Sequence, residues 1–248
     1  MRKRWRRSTA SWTRSWRRAS NPSPPRSGTC SGATTGPSAR TRDMPRVFKV
    51  ALTGGLASGK SEALRCFASC GAWTLSLDDV AHALARKGAP AYRSVVRAFG
   101  KDVLGPGGEL DRRTIAERVF SEPALLGKLE KATHPHILRE MRRRLSACRG
   151  PVAVVDVPLL FEKNLQKDFD ASVLVAAPAA LRLKRAVRRG MSRADAWRRM
   201  NAQLPQSRKE KLADVVLKNA GSLDDLRRAV RERYAAFRLI VSTHQGDR

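Results

Sequence analysis

The chain has 248 residues and a formal net charge of +28, which is enough for one sizeable domain with small appendages. No apolar stretch approaches the ~18 residues that span a bilayer, so the pattern argues against attachment through a membrane helix. The four cysteines include no C-x-x-C pair. This absence argues against a disulfide framework and favours a reducing compartment, so we expect a cytoplasmic protein.

Residues 1–45 differ from the rest of the chain. They are rich in Arg, Ser and Trp, nearly lack aliphatic residues, and carry eleven basic residues against one acid, so we predict that they are disordered. They could be an organelle transit peptide, a basic tail that touches nucleic acid, or the product of a mis-called start. We favour the last, with Met44 as the true initiator, because it directly precedes the first predicted strand.

From residue 47 onward, predicted strands and helices alternate, which indicates an α/β fold with a parallel sheet flanked by helices. The predicted strands cover 47–52, 72–77, 151–157, 171–176 and 215–217. The predicted helices cover 61–70, 78–86, 182–189, 193–203 and 223–240. Residues 88–150 are predicted to be largely helical, with breaks at Gly-Pro-Gly-Gly (105–108), Pro123 and Pro135.

The stretch TGGLASGKS (53–61) lies between the first strand and the first helix. Residues 54–61 match G-x-x-x-x-G-K-[ST] in full, the pattern of a P-loop, whose backbone N–H groups surround the phosphates of a nucleotide. We expect Lys60 to reach the β- and γ-phosphates and the Ser61 hydroxyl to bind Mg²⁺. The predicted ATP-binding residues of this loop are Gly55, Leu56, Ala57, Ser58, Gly59, Lys60, Ser61 and Glu62.

The guanine-reading N-K-x-D of small GTPases is absent, whereas the parts of a small-molecule kinase have candidates. Asp78 follows the second strand, at the sheet edge where α/β folds bind ligands, and could take a proton from an acceptor hydroxyl. Asp79 is expected to cap the next helix. Arg185 and Arg189 lie four residues apart on one helix face, so they either neutralise the transferred phosphate or form part of the basic surface.

Four further residues are candidates for ligand contacts. Asp156 ends an apolar strand, as in a Walker B pattern, and could hold Mg²⁺ through water, and Glu162 is a second acid at the same edge. His134, beside a proline, either packs structurally or contacts a ligand. Arg112 could bind a phosphate or pair with its neighbour Asp111.

Taken together, residues of about 47–240 resemble the dephospho-CoA kinase family, which phosphorylates the ribose 3′-hydroxyl of dephospho-CoA in the last step of coenzyme A synthesis. The P-loop alone is shared by many enzymes, but its combination with the other stretches in this order is specific. The stretches are ALTGGLASGKS (51–61), LDD (77–79), FG (99–100), GELDRR (108–113), THPHI (133–137), DVPLLFE (156–162), LKRAVRRG (183–190), AQLP (202–205) and ADVVLKN (213–219).

The resemblance implies roles and a domain layout. Catalysis would depend on Asp78, Lys60 and Arg185, and the ligands would be ATP, Mg²⁺ and dephospho-CoA. The acceptor pocket would include Asp78, Arg112, His134 and Glu162; the lid arginines would be Arg185 and Arg189, followed by Gln203 and Lys209; and Asn219 would lie near the adenine. A P-loop core (46–80, 150–180 and 206–248) would carry a helical CoA domain (81–149) and a lid (181–205).

Three positions depart from the family's pattern. Ala57 stands where Gly is common and is tolerable if its φ is negative. Glu62 replaces a Thr and is expected to point away from the phosphates, and Ser76 replaces the first acid of an Asp-x-Asp, leaving Asp78 as the catalytic carboxylate. The alternatives are another P-loop small-molecule or nucleoside kinase, or an ATP-binding, RNA-associated basic protein. We expect a monomer or weak homo-oligomer without a specific nucleic-acid partner.

Overall fold

A computed structural model describes residues 47–246, so the predictions for residues 1–45 lie outside the described residues. None of the helices between residues 47 and 246 has the length and apolar character needed to cross a membrane. The strands are β1 Phe48–Gly54, β2 Trp73–Ser76, β3 Val152–Asp156, β4 Ala171–Ala176 and β5 Val215–Lys218. The α-helices are α1 Lys60–Ser69, α2 Leu77–Leu84, α3 Pro90–Phe99, α4 Arg112–Ser121, α5 Pro123–Ser146, α6 Ala179–Arg188, α7 Arg193–Asn201, α8 Gln206–Leu212 and α9 Leu223–Gly246.

The five strands form one parallel sheet in the order β2-β3-β1-β4-β5. All residues of β3 and β4 are buried, as expected for central strands that helices cover on both faces. Because β1 lies between β3 and β4, the loop that follows it opens at the middle of the sheet. The predicted α/β fold class is confirmed.

The strand register brings the polar residues to one edge of the sheet. Asp156, the last residue of β3, pairs with Leu52 of β1 on one side and with Ser76 of β2 on the other. Gly54, at the end of β1, pairs with Val175 of β4. This edge is the carboxyl end of the parallel strands, where ligands bind in open α/β sheets.

A helical region is inserted between β2 and β3. Helices α3, α4 and α5 pack around a small core of their own, formed by Val95, Val103 and Ile115. The predicted break at 105–108 is confirmed as a tight turn, in which the Gly105 N–H donates to the Glu109 carbonyl over 2.8 Å. The predicted break at Pro123 is also confirmed, since α4 ends and α5 begins there.

The predicted break at Pro135 is wrong, because α5 continues through this proline to Ser146. An internal proline removes one backbone hydrogen bond and costs about 3 kcal/mol. Packing on both sides offsets this cost: Leu129 contacts the core of the insertion, while Met141 and Leu145 are buried in the core beneath the sheet. The helix therefore bridges two cores, and its packing overrides the local preference.

Candidate active site

The loop between β1 and α1 requires glycine at two positions. Gly59 has a φ of 103°, and a Cβ there would lie 2.1 Å from Asn219 Nδ2. A Cβ at Gly54 would lie 2.6 Å from the Val175 carbonyl oxygen. A side chain at position 54 or 59 would collide with these neighbouring atoms. The two glycines of the pattern are therefore explained by close packing as well as by backbone freedom. Lys60 begins α1 at the end of this loop.

Ala57 has a φ of 56°, so the negative φ on which its tolerance depended is not found. This left-handed conformation costs a non-glycine residue roughly 1–2 kcal/mol. A turn holds the residue in place, with the Ser58 N–H donating to the Gly55 carbonyl over 3.1 Å. The strain therefore lies within the loop itself, at a position where the family's common Gly would avoid it.

Asn219 links the far end of the loop to helix α6. Its side-chain amide donates to the Ser58 carbonyl over 2.8 Å, and its own carbonyl accepts from Arg185 Nη1 over 3.2 Å. The structure thus brings Arg185 and Asn219 together beside the loop. Arg189 is exposed at the carboxyl end of α6.

Asp156 is a buried acid without a complete set of partners. It is 7% exposed, and its Oδ1 has no hydrogen-bond partner. The pKa of Asp156 is raised to about 6, chiefly by burial; the charge of Lys60 opposes this rise, while Asp78 and Asp79 add to it. Ser76 pairs with Asp156 in the sheet and caps the helix whose first turn holds Asp78, so both acids lie at the same strand-end edge.

Asp78 lies in the first turn of α2 and is exposed. Helix α2 is capped by Ser76, whose hydroxyl accepts from the Asp79 N–H over 3.2 Å. The expectation that Asp79 caps this helix is therefore wrong, because the preceding serine occupies the N-cap position. Within residues 47–246 the Asp78 carboxylate makes no hydrogen bond or ion pair, so it is free to contact a ligand.

Glu62 points away from the loop, as expected. Its carboxylate pairs with Arg65 one turn along α1 and lies 3.9 Å from Arg227 Nη2 of α9. The two cations hold this acid against the opposite helix, so its charge is partly neutralised before any phosphate binds.

Glu162, predicted near the acceptor, is part of a buried ion pair. Its Oε1 lies 2.6 Å from Lys209 Nζ and accepts from the Leu204 N–H over 3.1 Å. Its Oε2 has no hydrogen-bond partner. The acid therefore fastens the segment after α7 to the loop after β3, and one oxygen remains available.

Arg112 and His134 occupy different surroundings. His134 is half-buried beside Glu130 and Lys163, and burial lowers its pKa. Arg112 lies on the wall of a cavity of about 590 Å³ within the helical insertion, a volume typical of small-molecule sites. The other walls are mostly apolar and include Val95, Leu110, Ile115 and Ile137, with His82 and Arg86 at the polar margin.

Two contacts with the loop were missed by sequence reasoning. The Gln203 Oε1 accepts from the Leu56 N–H over 3.0 Å, although the resemblance had only placed this glutamine after the lid. Arg182 is buried against Gly55. Its spacing from Arg185, three residues along the same helix, was the available signal, since such residues share a helix face.

The arrangement combines the parts that phosphoryl transfer to a hydroxyl requires. A loop of backbone N–H groups with a lysine lies beside a buried acid, and a free carboxylate stands at the neighbouring strand end. A basic helix borders the loop, and the cavity in the helical insertion provides room for an acceptor. Such sites act by positioning the reactants and stabilising charge.

The comparisons with known proteins agree with this geometry. The family model for dephospho-CoA kinase matches residues 48–225. The dephospho-CoA kinase of Frankia casuarinae is 39% identical over 187 residues, covering 75% of this chain and 82% of the relative. That of Aquifex aeolicus is 35% identical over 187 residues, covering 75% and 95%.

Solved structures give the same result. The crystal structure of TT1252 from Thermus thermophilus has a TM-score of 0.69 at 38% identity, covering 77% of this chain and 97% of that one. The dephospho-CoA kinase from Campylobacter jejuni has a TM-score of 0.55 at 25% identity, covering 81% and 98%.

Proposed function

The chain belongs to the dephospho-CoA kinase family, and we propose that it transfers the γ-phosphoryl group of ATP to the ribose 3′-hydroxyl of dephospho-CoA. The observation that carries the proposal is the position of Asp78, a carboxylate without a partner among the described residues, at the strand-end edge where Asp156 also lies. A phosphate held on the loop would lie beside it.

In this mechanism the loop residues orient the triphosphate. Backbone N–H groups of the loop and the positive end of α1 attract its oxygens, and Lys60 carries the compensating charge. Arg185, held by the Asn219 carbonyl, adds a cation on the adenine side. Arg189 lies exposed at the end of α6, where a shift of the lid would bring it over the phosphates.

Asp78 acts on the acceptor. It orients the 3′-hydroxyl and takes its proton while the hydroxyl oxygen forms a bond to the γ-phosphorus. The bond between that phosphorus and the β–γ bridging oxygen breaks, and ADP leaves. No covalent intermediate on the protein is needed, so the protein's contribution is alignment and electrostatic stabilisation.

Mg²⁺ fits two groups of this site. The exposed Ser61 hydroxyl stands at the start of α1, and the buried Asp156 has an unpartnered oxygen; Mg²⁺ prefers oxygen ligands and usually keeps some of its waters. When bound, Mg²⁺ neutralises phosphate charge in the transferred group. Ser61 would hold it directly and Asp156 through water.

The cavity of the helical insertion suits the uncharged arm of the acceptor. Its walls are mainly apolar, and Arg112 at its margin can bind a phosphate of the same molecule. His134 and the free oxygen of Glu162 stay candidates for contacts closer to the ribose. The cytoplasmic location, the monomeric or weakly associated state and the lack of a specific nucleic-acid partner stay predictions of the sequence.

The test is an Asp78→Asn variant, with Asp79→Asn as a matched control that removes the same charge one residue further along. We expect Asp78→Asn to bind ATP normally in calorimetry but to lose about 10²–10⁴-fold in kcat for ADP release with dephospho-CoA. The control should keep most of its kcat. Equal turnover of Asp78→Asn and the parent enzyme would remove Asp78 from the mechanism.

The acceptor is tested separately. We expect ADP release to depend on dephospho-CoA, with AMP, CMP and shikimate giving little turnover. If one of those acceptors were preferred, the chain would be a different small-molecule kinase. If none were phosphorylated and RNA were bound at moderate salt, the RNA-associated alternative would gain support.

A further inference from the structure

Helix α6 carries an arginine that the proposed mechanism does not use. Arg182 is only 8% exposed, and its Nε has no hydrogen-bond partner. Within residues 47–246 no carboxylate pairs with it and no acceptor receives its guanidinium protons. Burial lowers the pKa of Arg182, yet a guanidinium stays protonated in proteins.

A buried and unpaired charge is unusual, because desolvation is unfavourable and a partner normally offsets it. Arg182 also lies near the amino-terminal end of its helix, where the macrodipole is positive. Neither the ion pairs nor the local backbone therefore explain why this position holds a cation. An anion bound from outside the described chain would explain it, because it would provide the missing opposite charge.

The guanidinium of Arg182 is placed against the phosphate-binding loop. A Cβ at Gly55 would lie 1.8 Å from Arg182 Nη1 and 3.0 Å from its Cζ. The same point is 3.4 Å from the Gln203 Oε1, which already accepts from the Leu56 N–H. Only glycine at position 55 permits this approach, so the cation lies on the loop segment that leads to the strained Ala57.

We propose that Arg182 is a further phosphate-binding residue, whose missing counter-charge is provided by the phosphates of ATP held on the loop. This role differs from that of Arg185, which is already engaged by the Asn219 carbonyl. It rests on the proposed function only in requiring that the loop binds ATP. The identity of the acceptor has no bearing on it.

The proposal predicts opposite effects of one substitution on stability and on binding. Arg182→Met keeps an unbranched, apolar stem and removes the buried charge. The ligand-free protein should then melt about 2 °C higher or more, while the Kd for ATP should rise about tenfold or more. A purely structural arginine would instead lower the melting temperature and leave the Kd almost unchanged.

The experiment uses calorimetric titration of ATP and of inorganic tripolyphosphate, together with thermal unfolding without ligand. Arg188→Met is the matched control, since it removes an exposed arginine from the same helix and should leave the Kd within about twofold of the parent. Tripolyphosphate should lose affinity for Arg182→Met as ATP does, because the lost contact is to phosphate. Arg182→Lys, which keeps the charge, should recover part of the affinity.

Each combination of results decides the proposal. A higher melting temperature with weakened binding of both ligands supports it. It is overturned if the Kd of Arg182→Met matches that of the control. If Arg182→Met melts lower or does not fold, Arg182→Lys is compared with Arg182→Gln, an uncharged polar variant. Equal ATP affinity of these two variants also overturns the proposal. None of these readouts involves dephospho-CoA, so a failure of the proposed acceptor would leave the result interpretable.

Discussion

The buried ion pair between Lys209 and Glu162 allows a quantitative prediction. Lys209 Nζ lies 2.6 Å from Glu162 Oε1, with the two side chains 2% and 16% exposed. The same oxygen accepts from the Leu204 N–H over 3.1 Å. One carboxylate therefore ties helix α8 and the end of the predicted lid to the loop after β3. The perturbation is Lys209→Met, which removes the ammonium and keeps most of the side-chain volume.

Removing one partner leaves the Glu162 charge buried with a single hydrogen bond. Breaking a buried pair in this way costs about 3–5 kcal/mol. For a protein of this size, each kcal/mol lowers the melting temperature by roughly 2–4 °C, so Lys209→Met should melt about 10 °C lower. Adding Glu162→Gln removes the second charge and keeps an acceptor for the Leu204 N–H, so the double variant should regain much of the loss.

The assay is urea or thermal unfolding at pH 7, with Lys211→Met as the control. Lys211 is exposed on the same helix, and its substitution should change stability by about 0.5 kcal/mol or less. If Lys209→Met is as stable as this control, or if the double variant is no better than the single one, the electrostatic reasoning is refuted. A stable double variant with a raised KM for dephospho-CoA would support the predicted contact of Glu162 with the acceptor.

Three further predictions concern the loop and the helical insertion. Ala57→Gly should relieve the left-handed strain and stabilise the protein by up to about 1 kcal/mol in urea unfolding; a clear loss would contradict the φ of 56°. Gly59→Ala should place a Cβ 2.1 Å from Asn219 Nδ2 and weaken ATP binding about tenfold or more in calorimetry, and undiminished affinity would refute this. Burial lowers the pKa of His134 in the folded state from its usual 6.5, so the unfolded chain binds more protons and stability should fall as the pH drops through 6.5 and below. In His134→Gln, the free energy of unfolding should therefore differ less between pH 5.5 and pH 7.5 than in the parent protein. An unchanged difference would assign the pH dependence to other groups.

The fold was predictable because its signals are local. Strands β3 and β4 are short, wholly apolar runs apart from Asp156 and Ser172, and the glycine pattern of the loop stands between a strand and a helix. The resemblance then added the order of the remaining parts. The strand 171–176 was predicted with its observed bounds.

The missed features depend on contacts between distant parts of the chain. Asn219 and Ser58 are 161 residues apart, and Gln203 and Leu56 are 147 apart, so no local pattern reveals these contacts. Helix α8 was not predicted because all of its residues except Leu212 are polar or charged, so the segment shows no apolar periodicity. Tertiary packing likewise decided that α5 continues through a proline.

Three features of the site lower the stability of the ligand-free protein. Ala57 has a strained φ of 56°, Asp156 is a buried acid whose pKa is raised to about 6, and Arg182 is a buried cation without an acid. The two groups do not pair with each other, and each keeps a buried atom without a hydrogen-bond partner, Asp156 Oδ1 and Arg182 Nε. In the proposed complex, the phosphates of ATP would present an anion to Arg182 and the Mg²⁺ ion a cation to Asp156. A ligand that binds only the folded state stabilises it by an amount that grows with the logarithm of its concentration relative to Kd. The unpaired buried charges of the free protein therefore favour a charged ligand that would complement them.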